Sequence, residues 1–100
     1  MTINVERDFE LVKLEISGRL DTTTAPNLDA VINELSQDTT ELVFDMSGVE
    51  YISSAGIRTL LGAYKKMNSN QGKMRIEKPN ELVYDVFEMT GLTQMIEGMK

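Results

Sequence analysis

The sequence contains no cysteine and no histidine. Without cysteine there is no disulfide framework and no thiolate chemistry. Without histidine the commonest general base and the commonest transition-metal ligand are gone, and a Ser-His-Asp triad is excluded. A basic excess is missing too: 10 Lys and Arg stand against 16 Asp and Glu, a formal net charge of -6. Nucleic acid and anionic membrane surfaces both favour a basic face, so neither is an expected partner. No apolar run approaches the length of a membrane span. The opening MTINVERDFE lacks the basic region and apolar run of a signal peptide, so a cytoplasmic chain without membrane insertion is expected.

Three enzyme signatures are also absent. YISSAG does not match the Gly-x-Ser-x-Gly nucleophile elbow, and no GxxxxGK[ST] phosphate loop occurs. Asp45 lacks the acidic pair near the N-terminus that a phosphoaspartate receiver uses to hold a metal. No catalytic residue, cofactor or metal is therefore expected.

What remains is an ordinary globular composition, 41% hydrophobic and 26% charged over 100 residues, enough for one domain spanning 1–100. Ile3 and Val5 alternate as a first strand, Arg7-Asp8 offers a turn, and Phe9 through Ile16 continues as a second strand ended by Gly18. RLDTTTAP reads as a polar loop, with Thr24 as N-cap and Pro26 near the first helical positions. Leu28, Val31, Ile32 and Leu35 give one apolar helix face. Leu42-Val43-Phe44 reads as a central strand covered on both sides, followed by a loop over 46–54. Ile57, Leu60, Leu61, Tyr64 and Met67 mark a second helix, and Lys73–Glu77 a strand. Pro79-Asn80 opens a third helix with Leu82, Val83, Val86 and Phe87 as its buried stripe and Gly91 as its stop. Residues 94–99 fit an edge strand or a helical turn equally. The class is α/β: a ββαβαβα order with a mixed, largely parallel sheet and a short C-terminal segment. In such sheets the functional loops gather at the carboxyl ends of the strands, so 18–25 and 46–54 are expected side by side.

The segment LVFDMSGVEYISSAGIRTLLGAY, residues 42–64, carries the most information. A strand, a turn with two serines and a helix place the Ser54 hydroxyl at a helix N-terminus, where phosphate is electrostatically favoured. From the residues alone, an unmodified helix cap is the favoured role of Ser54, with a regulated hydroxyl as the other. Gly56 reads as a close-packing position at the helix start. Asp21, Asp45 and Glu50 would make the surroundings acidic, and Arg58 faces solvent, opposite the stripe of Ile57, Leu60 and Leu61. Met67 and Met74 fall on core-facing patterns.

GRLDTTTA at 18–25, the block at 42–66 and VFEMTGL at 86–92 together resemble the anti-sigma factor antagonists, bacterial members of the STAS domain family. The resemblance covers most of the chain and is most specific in its middle block. It implies a single STAS domain. The dephosphorylated form would bind an anti-sigma factor that is also a serine kinase and free a sigma factor. Phosphorylation would break that complex, and a serine phosphatase would restore it. The family's phosphoserine falls on Ser54. The family motif Asp-Ser-Ser/Thr-Gly reads Ser53-Ser54-Ala55-Gly56 here, which leaves Ser53 as the alternative acceptor. The implied contact surface is Asp21, Thr22, Thr23, Thr24, Ser53, Ser54 and Arg58. A constitutive STAS interaction module of a transporter or signalling assembly, with Ser54 purely structural, is the alternative.

Overall fold

The computed structural model describes residues 1–92. The elements are β1 (Thr2–Asp8), β2 (Leu11–Leu20), α1 (Ala25–Asn33), β3 (Glu41–Ile52), α2 (Ser54–Ser69), β4 (Lys73–Glu77) and α3 (Glu81–Thr90). The order is the ββαβαβα expected from the hydrophobic patterning. The segment 94–100 lies outside the described residues. One sheet carries the strands in the order β1-β2-β3-β4, with β1 antiparallel to β2 and the other two pairs parallel.

Alternation along the strands separates the two faces of the sheet. Val12, Leu14, Ile16, Leu42, Phe44, Met46, Met74 and Ile76 point to one side, where they pack with Leu28 and Ile32 of α1, Leu60, Ala63 and Met67 of α2, and Val83 and Phe87 of α3. Burial of these side chains is the main force holding helices to sheet. The intervening positions form the other face. Lys13, Val43 and Arg75 are in register across three strands, as are Glu15, Asp45 and Glu77. Val43 is only 2% exposed, yet it is not part of the helix-side core. Lys13 and Arg75 flank it in register on the neighbouring strands.

Several boundaries differ from the sequence-based expectation. The β1–β2 turn lies at Phe9-Glu10, not Arg7-Asp8, and Phe9 is fully exposed at the tip with φ 54. Gly18 does not end β2. It adopts φ 94 beside a register shift, and the strand continues to the buried Leu20. The loop expected at 46–54 is largely strand, because β3 runs on to Ile52 and buries Met46, Val49 and Ile52. β2 is ten residues long and β3 twelve, and two register shifts in their pairing absorb the surplus, as β-bulges do. Leu82 is 53% exposed, so it falls outside the buried stripe of α3.

Helix ends explain the placement of α1, α2 and α3. Asn80 accepts from Val83 N–H at 2.8 Å as the cap of α3 and donates to the Val49 carbonyl at 3.0 Å, tying that helix to β3. Gly91 closes α3 in the left-handed conformation, φ 74, as its position predicts. At the end of α1, which has no basic residue in its last turn, Lys66 of α2 donates to the carbonyls of Ile32 at 3.0 Å and Asn33 at 3.4 Å. Among the described residues, no helix is long and apolar enough to cross a membrane.

Candidate functional site

The carboxyl ends of β2 and β3 stand together, Leu20 in register with Ile52. Ser53 N–H donates to the Leu20 carbonyl at 2.9 Å, so the loop at 21–24 and the Ser53-Ser54 turn leave the sheet side by side, as expected. Gly56 makes this approach possible. A Cβ there would lie 2.7 Å from Leu20 Cγ, 2.9 Å from Ile52 Cγ1 and 3.0 Å from the Leu20 carbonyl oxygen.

The two serines have different surroundings. Ser53 is the N-cap of α2; it is extended and half-buried, and its hydroxyl accepts from Gly56 N–H at 3.5 Å. Ser54 is the first residue of the helix and is exposed. The capping role considered for Ser54 therefore belongs to Ser53.

The loop at 21–24 is held by Asp21. Its Oδ1 accepts from Thr23 N–H at 3.1 Å, Thr23 Oγ1 at 2.8 Å and Thr24 N–H at 3.2 Å. The Thr23 hydroxyl, then the neighbouring backbone donors, hold the Asp21 carboxyl below its ordinary value. Thr24 stands at the N-cap position of α1 but does not cap it. Its backbone is already helical, and its hydroxyl donates to the Arg19 carbonyl at 2.8 Å. Ala25 N–H bonds the Asp21 carbonyl at 2.8 Å, so a helical turn reaches back to Asp21, whose side chain supplies the cap. Arg19 closes this corner, with Nε 3.6 Å from the Asp21 carboxylate and its guanidinium carbon 4.4 Å from the Tyr51 ring centre.

A groove of about 330 Å³ separates the two helix starts. Thr22, Ala25, Pro26 and Asp29 form one wall, and Ala55, Arg58 and Thr59 form the other. Thr22 and Arg58 thus line one concavity. Ser53 and Ser54 precede its Ala55 in the chain and are not among its lining residues, while Asp21, Thr23 and Thr24 are occupied in shaping the loop. Ala25, Pro26, Asp29, Ala55 and Thr59 were not singled out by sequence. Their signal was only adjacency to the two helix starts. Two expected neighbours are elsewhere. Asp45 is interior to β3 on the open face, 7% exposed, with its carboxyl held down chiefly by Ser47 N–H, while Glu50 belongs to β3 itself rather than a turn.

The model of the STAS domain family matches residues 2–100. The chain belongs to this family. The anti-sigma-B factor antagonist of Staphylococcus aureus is 27% identical to this STAS domain over 99 residues, covering 96% of this chain and 92% of that protein. An anti-sigma factor antagonist from Mycobacterium paratuberculosis superposes with a TM-score of 0.86 at 27% identity, covering 98% of this chain and 84% of that one. The phosphorylated form of the Bacillus cell fate determinant SpoIIAA superposes at 0.78 with 19% identity over 99% of this chain and 92% of its own, a likeness of fold. Architecture and family thus agree with the resemblance carried by the middle block.

Proposed function

We propose that this STAS domain is an anti-sigma factor antagonist, a non-catalytic cytoplasmic binding module switched at Ser54. The unmodified chain binds an anti-sigma factor that is also a serine kinase, and a sigma factor is released. The kinase transfers the γ-phosphoryl group of ATP to Ser54 Oγ; ADP forms and the hydroxyl proton leaves. The modified chain then dissociates, and a serine phosphatase returns it to the binding form by hydrolysis. The contact surface is the groove and its rim: Thr22, Ser53, Ser54 and Arg58, supported by the loop of Asp21, Thr23 and Thr24.

One observation carries this reading. Of two adjacent serines, Ser53 is spent on the helix cap, while Ser54 is exposed in the first turn of α2, directly before the groove residue Ala55. A phosphate there adds about -1.5 to -2 charges. The helix N-terminus tolerates that charge, so the fold survives while the docking surface changes. Relatives named as anti-sigma factor antagonists, and one fold neighbour described in a phosphorylated form, support the same reading.

The test is a calorimetric titration of the cognate anti-sigma factor. Ser54→Ala binds like the parent, and Ser54→Glu binds at least about tenfold more weakly, a loss of about 1.4 kcal/mol. Equal affinities for both would remove the switch and leave a constitutive interaction module. Phosphopeptide mapping after incubation with the kinase places the phosphate on Ser54; phosphate on Ser53 would move the site by one residue.

A further inference from the structure

Two arginines stand near the serine turn, and their situations differ. Arg19 is engaged by the Asp21 carboxylate and by the face of Tyr51. Arg58 is exposed on α2 and lines the groove, and among the described residues it forms no ion pair. Asp29 lines the opposite wall of the same groove without reaching ion-pair distance. In a chain of net charge -6, an unpaired cation in a concave site is a feature to be explained.

Its position relative to Ser54 supplies the explanation. Ser54 opens α2 and Arg58 follows four positions later. That spacing brings two helical side chains onto one face, one turn apart. The direction is the favourable one, with the acidic group N-terminal to the basic group. The first turn of α2 contains no acidic residue to compete for the guanidinium. A planar guanidinium also suits phosphate oxygens better than an ammonium does.

We propose that Arg58 is the intramolecular receiver of the Ser54 phosphate. In the unmodified chain Arg58, without an ion-pair partner among the described residues, is offered to an acidic side chain of the partner. In the phosphorylated chain the phosphate captures it. One modification then acts twice: it adds negative charge, and it withdraws the cation that lines the groove. This inference rests on Ser54 being the modified residue and states what the phosphate does once there.

The experiment installs phosphoserine at position 54 of the full chain during synthesis, so no kinase is involved. Phosphorus NMR then follows the second ionisation of the phosphate in the parent, in Arg58→Gln and in Arg58→Lys. Capture makes the parent phosphate about threefold more acidic than that of Arg58→Gln, a shift of about half a pH unit. Arg58→Lys keeps part of the shift. The difference collapses in about 1 M salt, where exposed ion pairs are screened. A phosphate that senses only the helix end titrates identically in all three proteins, and that result overturns the proposal. Arg58 is exposed, and thermal melts of the unmodified variants check that the fold is retained. The outcomes separate from those of the preceding titration. A Ser54 whose modification leaves partner binding unchanged removes the switch without altering this NMR comparison. A working switch with identical phosphate titrations removes only the role of Arg58.

Discussion

Ser53 and Ser54 are chemically identical neighbours, and one residue of helix register gives them different work. Removing the Ser53 hydroxyl uncovers the Gly56 N–H at the start of α2. The bond is long at 3.5 Å, so Ser53→Ala is expected at the low end of capping losses, about 0.5–1 kcal/mol. Ser54→Ala touches an exposed first-turn hydroxyl and should fall within about 0.5 kcal/mol of the parent. Urea denaturation of the two variants checks the pair; equal losses would contradict the assignment of the cap. The sequence could not choose between them, because capping preference belongs to serine as a residue type and both positions offer it. The same limit applies to Thr24. It looks like a cap before Ala25-Pro26, but Asp21 lies one turn earlier and its carboxylate is the stronger acceptor for free backbone N–H groups.

At the scale of elements, the site depends on how closely α2 approaches the ends of β2 and β3. Gly56→Ala places a methyl group 3.0 Å from the Leu20 carbonyl oxygen, which is backbone and cannot swing aside. The expected cost is about 1–3 kcal/mol, with a displaced helix start. Denaturant midpoints measure the loss, and amide shifts confined to 20–24 and 52–58 report the displacement. A stable variant with unchanged shifts would show that the approach is not tight. Helix faces, β4 and the order of the elements along the chain were legible because each rests on a periodic run, such as Met74 and Ile76 alternating within Lys73–Glu77. The long reach of β3 was not. Ser47, Gly48 and Glu50 interrupt the apolar pattern, and the register shifts that keep Met46, Val49 and Ile52 buried exist only through pairing with β2. Leu82 misled for a related reason: apolar type marked it as core, but α3 turns only Val83 and Phe87 fully inward.

Across the whole molecule, the open face of the sheet sets Glu15, Asp45 and Glu77 in register across three strands. Glu15 is held above its ordinary carboxyl value, first by a hydrogen bond with Glu6 and then by the Glu6 charge. A raised acid favours the folded state while protonated; that contribution is complete below the unfolded value of 4.5 and is lost as pH rises through the higher folded value. Asp21 and Asp45 have the opposite sign. Their contributions are complete above the unfolded value of 3.8 and are lost as pH falls through their lower folded values. Glu15→Gln should therefore raise the melting temperature at neutral pH, and the gain should vanish below about pH 4, where Glu15 is itself uncharged. Scanning calorimetry at both pH values decides it; a gain that persists in acid would have another origin. The bond from Lys66 to the end of α1 has a mechanical consequence. It lies at the far ends of the two helices whose starts enclose the groove. With the far ends joined through Lys66 and the start of α2 held against Leu20 by Ser53 N–H and the close approach at Gly56, the groove is anchored at both ends, and a docking partner meets a recess of preset width.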